Sequence, residues 1–290
     1  MPITDLKKAL AYEYPEDVGA YTSDDVILYH LGVGAGVPAT DSNELEYTYE
    51  KNLKVLPTFS TVIKVGPGVN IFDMFKNVPG MDINPAMMLH GEQETVIHQQ
   101  LPPEGKIHST ARIANIFDKT KAALAILEVN GSTPEGDLIF TNRYSVFLRG
   151  EGGFGGDSGP KSSNEAPDRE PDGVVESPTL PQQCLLYRLN GDKNPLHVDP
   201  EAAKKAGFDA PILLGLCSYG IACKAVIDGA LNGDVTQVAS YKVRFHGIAY
   251  PGDTYLTSYW REGNTILFET KSKERGTLII SNAAITCVDS

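Results

Sequence analysis

Eight short strand-like runs, set in two groups of four, constrain this chain more than any other feature. In the second half "VASYKVRFHG", "DTYLTSYWRE", "NTILFETKSK" and "TLIISNAAITC" follow one another. Turn signals at Pro251-Gly252-Asp253, Gly263-Asn264 and Arg275-Gly276 separate them. Apolar residues alternate in Tyr241, Val243 and Phe245, and the same period-two spacing runs through Ile266, Phe268 and Thr270. The first half repeats the plan with "EQETVIHQQL", "KIHSTARIANIF", "KAALAILEVNG" and "DLIFTNRYSVFLR". Short turns predict antiparallel pairing between successive runs, because parallel strands need a long crossover. A helical candidate precedes each group. One is "LPTFSTVIKV" (56–65), ending at Gly66-Pro67; the other is "CSYGIACKAVIDGAL" (217–231), with Ile221, Ala225, Ile227 and Leu231 at helical spacing. The expected fold is α+β and built twice, each half a helix cradled by a curved antiparallel sheet. The halves share little residue identity, so the duplication is one of architecture.

Residues 155–182, "GGDSGPKSSNEAPDREPDGVVESPTLPQ", are dense in Gly, Pro, Ser and charge and have no apolar period. They read as a linker between an N-terminal domain, 1–154, and a C-terminal domain, 183–290. At 290 residues the chain can bury a core without staples. Its formal charge of -12 repels nucleic acid and anionic membrane, while leaving room for a local basic pocket. Cys184, Cys217, Cys223 and Cys287 form no C-x-x-C pair and read as reduced thiols, with no structural zinc or other metal site expected. No apolar run is long enough to span a bilayer, and the N-terminus lacks the apolar core of a signal peptide. The expected setting is cytoplasmic, or peroxisomal if the chain is a domain of a larger multifunctional protein.

"GEGGFG" (150–155) matches G-x-G-x-x-G, but the following "GDSGPKSSNEAPD" cannot begin the helix that would carry a phosphate. It reads as a strand exit or a place of close backbone packing.

The chemistry concentrates in "RLNGDKNPLHVDPEAAKKAGFD" (188–209), a polar turn between the apolar runs "CLLY" and "PILLGL". Gly191-Asp192 and Asn194-Pro195 are turn-forming pairs. Asp199-Pro200-Glu201 reads as an N-cap, a first-turn proline and a first-turn acid, so Asp199 is set aside as a cap of the helix "PEAAKKAG". Asp192 and His197 remain. They are either solvated loop side chains or a pair holding one water, which can divide general base and general acid work near neutral pH. Gly215, at the start of the long helix, offers a backbone N–H to an oxygen that gains negative charge; a glycine needed only for packing is the alternative.

"YRLNGDKNPLHVDPEAA" and "GFDAPILLGLCSYG" strongly resemble the type 2, R-specific enoyl-CoA hydratases of the MaoC-like hot-dog superfamily. "LGVGAG", "VLPTF", "LHGEQ", "GEGGFGG" and "YPGDT" resemble family segments in the same order. The resemblance implies a double hot-dog fold and addition of water to a trans-2-enoyl-CoA, in acyl-chain or steroid side-chain β-oxidation, giving a (3R)-hydroxyacyl-CoA. It places the catalytic pair on Asp192 and His197, an orienting role on Asn194, and the thioester oxygen's donor on Gly215. It maps acyl-CoA contacts onto His90, Gly91, Lys119 and Phe245. It implies no cofactor beyond the substrate's own CoA, a homodimer, and a first half that houses the acyl tail. The family usually reads "PILHGL"; Leu214 replaces that histidine here, and Ala210 and His246 are also unusual. These departures imply a reshaped pocket. The alternatives are an acyl-CoA-binding hot-dog protein with little turnover and a hot-dog thioesterase.

Overall fold

Strand pairing organises the molecule. A computed structural model describes residues 3–63, 71–161 and 163–289. The strands are β1 (Asp17–Tyr21), β2 (Met88–Ile97), β3 (Gly105–Asp118), β4 (Ala122–Ser132), β5 (Leu138–Arg149), β6 (Gly173–Pro178), β7 (Val238–Phe245), β8 (Thr254–Glu262), β9 (Thr265–Ser272) and β10 (Leu278–Cys287). All pair antiparallel in one sheet, in the order β1-β3-β4-β5-β2-β7-β10-β9-β8-β6. Read outward from the β2–β7 seam, the two halves have the same order. The architectural duplication expected from the eight runs is therefore present, and those runs are β2–β5 and β7–β10.

Pairing of successive runs holds for β3–β4–β5 and β8–β9–β10. It fails for the first run of each group. β2 pairs with β5, and β7 with β10. The connections 98–104 and 246–253 lead to strands three places away, about 14 Å at the usual strand spacing. Seven extended residues reach about 23 Å, so a short polar connection can cross two strands as well as reverse direction. Two edge strands, β1 and β6, were not foreseen, and β6 lies inside the segment expected to be a linker.

Six α-helical segments complete the described residues: α1 (Leu6–Leu10), α2 (Ser23–Gly32), α3 (Ser42–Thr48), α4 (Gln183–Tyr187), α5 (Pro200–Lys205) and α6 (Gly215–Leu231). α6 is the expected helix of the second half. It is buried along most of its length, with β7 to β9 of its own half on one side and parts of the first half on the other. Such a helix is apolar over most of its surface, and its charged pair, Lys224 and Asp228, is satisfied by mutual pairing and by Glu44. The first-half helix expected over 56–65 does not form. Pro57–Thr61 is a single 3-10 turn, fully buried; residues 64 and 65 and Gly66-Pro67 lie outside the described residues. Its hydroxyl side chains are bonded inside the core: Thr61 Oγ1 donates to the Thr58 carbonyl at 2.8 Å, and Ser60 Oγ to Asn142 Oδ1 at 3.1 Å.

That turn belongs to a buried polar network at the seam. Asn142 Oδ1 also accepts from Thr95 Oγ1 at 2.7 Å, and Asn142 Nδ2 donates to the Ser60 carbonyl at 3.1 Å. Tyr219 Oη on α6 donates toward Thr95 Oγ1 and the Tyr241 carbonyl, while Tyr241 Oη returns a bond to the Tyr219 carbonyl at 2.9 Å. Satisfied in this way, the polar groups fix how the two halves meet.

Candidate active site

The catalytic candidates sit on a loop that the local sequence shapes closely. α4 ends at Tyr187, and the chain turns at Gly191, whose φ of 129° favours glycine. Asp192 Oδ1 accepts the Asn194 N–H at 3.0 Å, and Asn194 Oδ1 accepts the Leu196 N–H at 3.1 Å. Asn194 thus caps the 3-10 turn Pro195–His197. Asp199 is the N-cap of α5, accepting from Glu201 N at 2.9 Å, as its Asp-Pro-Glu setting implied. Asp192, Asn194 and His197 are all half-buried.

His197 Nδ1 lies 2.9 Å from the Ile212 carbonyl. A carbonyl has no hydrogen to give, so Nδ1 carries a proton, and Nε2 is the nitrogen left for chemistry. The same bond ties the imidazole to the segment entering α6. Leu214 occupies the N-cap and offers no side-chain cap; among the described residues the N–H groups of Gly215 and Leu216 have no protein acceptor. Gly215 is exposed, and its unpaired N–H lies at the positive end of the helix dipole. Leu214 itself is 1% exposed within the main core and does not line the cleft described below, and His246 is exposed beyond the end of β7.

Phe245 connects this loop to the seam. A Cβ added to Gly215 would lie 3.6 Å from its ring, and His90 packs edge-on against it at 4.9 Å. Gly91 marks a bulge in β2, and any side chain there would strike the Phe147 ring. Burial pushes the His90 imidazole down to about 4, so it is neutral near pH 7; its Nε2 is sealed from solvent without a partner. Tyr187, in the "CLLY" run, is fully buried with an unpartnered hydroxyl. Burial first, then Tyr29, Cys217 and the carboxylate of Asp192, hold that phenol well above its ordinary range. Its apolar sequence setting does not signal a buried, unpartnered hydroxyl five residues before Asp192.

Gly91, Lys119 and Phe245 line one cleft of about 930 Å³. It is basic within an acidic chain, with Lys119, Arg143, Lys161, Lys242 and Arg244 against Glu92, Glu94 and Asp118. Both arginines and Lys242 are paired with carboxylates, whereas Lys119 and Lys161 have no carboxylate partner among the described residues. Lys161 escaped the sequence reading because a Gly/Ser/Pro stretch hides it. Of the eight residues singled out, Asp192, Asn194 and His197 share the loop, Gly215 joins it through the 212–215 segment, and His90, Gly91 and Phe245 meet at the seam. Lys119 stands at the cleft's far rim. The "GEGGFG" amides do bind an anion, but it is the chain's own Asp118: Gly153 N and Gly155 N donate to its carboxylate at 2.8 and 2.7 Å. Gly152 also packs directly on Thr120 and Ala122, the close backbone approach expected of it.

Comparison with known proteins gives this arrangement a family. The MFE-2 hydratase 2 N-terminal domain matches residues 20–150, and the MaoC like domain matches 162–283. Enoyl-CoA hydratase ChsH3 of Mycobacterium tuberculosis is 43% identical over 97% of each chain. The peroxisomal enoyl-CoA hydratase 2 of Arabidopsis thaliana is 41% identical over 94% of this chain and 92% of its own. A MaoC-like dehydratase from Phytophthora capsici superposes with a TM-score of 0.88 at 31% identity, over 99% of this chain and 98% of that one. The fold and these similarities define a MaoC-like double hot-dog hydro-lyase. The chain belongs to the enoyl-CoA hydratase 2 family. No helix among the described residues is long and apolar enough to cross a membrane, and no group of metal-ligating side chains occurs among them.

Proposed function

We propose that the protein adds water to trans-2-enoyl-CoA thioesters to give (3R)-3-hydroxyacyl-CoA, with steroid side-chain intermediates among its substrates. The observation that carries this reading is the bond from His197 Nδ1 to the Ile212 carbonyl, which leaves Nε2 without a protein partner on the segment that leads into the uncapped amide of Gly215. A water held between His197 Nε2 and the Asp192 oxygen left free by Asn194 attacks C3. The pair takes one proton from it, and a proton is delivered to C2. Enolate charge gathers on the thioester oxygen, where the Gly215 N–H receives it; one such donor is worth about 3 kcal/mol in the barrier. Asp192 and His197 act as a coupled pair, and the base role is shared between them. Neutral His90 and Phe245 wall the reacting end, and Lys119 and Lys161 meet the phosphates. The similarity to ChsH3 supports the steroid side-chain part of the reading. The first half, which has no long central helix among its described residues, houses the acyl tail.

The test is loss of the conjugated enoyl absorbance with crotonyl-CoA and longer or branched enoyl-CoAs, followed by chiral analysis of the product. A (3R) product is expected. No loss with any chain length at high protein concentration rejects the proposal, and tight binding without turnover instead marks an acyl-CoA carrier.

A further inference from the structure

We propose that Asp118 is a positioning residue for CoA recognition: by clasping the strap of residues 150–161 it holds Lys119 and Lys161 at the cleft rim. The inference rests on the acyl-CoA reading above, and it starts from three backbone amides on one carboxylate. Thr120 N and Gly153 N donate to Asp118 Oδ1 at 2.7 and 2.8 Å, and Gly155 N to Oδ2 at 2.7 Å. Asp118 N donates to the Asp157 carbonyl at 2.7 Å, so the strap is bonded to this residue from both backbone and side chain. Lys119 Nζ then donates to the Ser158 carbonyl. Gly159, at a φ of 74°, lies flat on the Phe117 ring, where a Cβ would come within 2.6 Å. Beyond the strap, Ser163 is tied to the other half, where Asn282 Nδ2 donates to its carbonyl at 3.0 Å.

The consequence is geometric. Ser158, Gly159, Pro160 and Lys161 line the cleft only because the strap folds back over the β3–β4 turn. The two cations of the cleft lining that have no carboxylate partner among the described residues, Lys119 and Lys161, sit on the two pieces that Asp118 joins. A carboxylate accepting several amides is a strong anchor, since charge-assisted bonds are about twice as strong as neutral ones. The amides hold Asp118 in its ionised form, and their aligned N–H dipoles offset only part of its repulsion of a nearby phosphate, so its positioning of the two lysines must outweigh that repulsion. The glycines are required by the clasp: Gly153 and Gly155 have φ of 83° and 79°, where other residues are strained.

Asp118→Asn and Gly155→Pro test the clasp from its two sides; proline has no N–H to give and cannot hold a positive φ. KM for crotonyl-CoA should rise about tenfold in both, the loss of one or two charge-assisted bonds. The kcat should stay within about twofold, and KM for crotonyl-pantetheine, which lacks the nucleotide phosphates, should not move. Titration of each protein with CoA itself should show the same weakening, and circular dichroism should show the fold intact. An unchanged or tighter CoA affinity in Asp118→Asn overturns the proposal, since it would mean that Asp118 merely repels phosphate. An equal loss on both thioesters also overturns it, as a general structural effect. Wild-type protein that binds CoA but hydrates neither thioester overturns the hydratase reading alone, and the titration still decides the clasp. Wild-type protein that does not bind CoA overturns the clasp as well.

Discussion

His197 and Ile212 are joined by a single hydrogen bond from the imidazole Nδ1 to the main-chain oxygen at 2.9 Å, and it sets which ring nitrogen can do chemistry. His197→Asn places an amide donor near the site of Nδ1 and nothing at Nε2. Hydration should slow by about 10²- to 10⁴-fold, the usual worth of a positioned acid or base. The melting temperature should stay within a few degrees of wild type. Stopped assays of enoyl-CoA loss beside a thermal melt separate the two; full activity in the variant excludes His197 from proton transfer.

Asp192 spends one carboxylate oxygen on the Asn194 amide. Asp192→Asn can keep that bond through its own Oδ1 while losing the charge and the free oxygen. A folded protein with a kcat lower by about a hundredfold or more is expected, and a change seen only in KM argues against a catalytic Asp192.

His30 should make the protein acid-sensitive. It is wholly buried, gives Nδ1–H to the Tyr47 carbonyl at 2.7 Å, and accepts the Leu56 N–H on Nε2 at 3.2 Å. Burial pushes it down to about 4 from 6.5. The unfolded chain therefore takes up a proton first as pH falls. Stability from this site is complete above 6.5 and drops between 6.5 and 4 by about 3 kcal/mol. Urea unfolding across that window should show a smaller drop in His30→Gln, whose amide can serve both partners without titrating. An identical slope in the two proteins would remove His30 as the cause.

Asn142 holds the seam network together, with Ser60 and Thr95 as partners. Asn142→Ala leaves the Ser60 hydroxyl and carbonyl buried and unpaired and removes the acceptor of Thr95, which keeps only its bond from Tyr219, at a cost of about 3 kcal/mol. Denaturant midpoints measure this directly, and a loss under about 1 kcal/mol would mean that water replaces the side chain.

The parts of the fold legible in sequence are those where a repeating pattern meets one environment. Tyr241, Val243 and Phe245, or Ile266 and Phe268, alternate because one sheet face is covered by α6. The edge strands β1 and β6 are short, and although Val175 of β6 packs on α6 at Gly229, "GVVESP" inside a Pro-rich stretch gives no apolar period to read. In the first half, Leu56, Phe59, Val62 and Ile63 are all buried, as a helix face would be, yet they belong to a tight turn inside the core. A capping box at Thr22 and Asp25 announced α2 and went unread. Within the site, the turn residues Gly191, Asn194 and Asp199 declared themselves through local backbone chemistry. Tyr187 and Lys161 did not, because their places depend on segments distant in the chain.

The shared seam between β2 and β7 has one more consequence. An assembly of two identical subunits must carry every alteration twice, once on each side of its axis. Covalent fusion of the repeats lifts that restriction. One repeat can keep a long buried helix with its polar tip, while the other replaces it with a short turn and turns its interior to a different use.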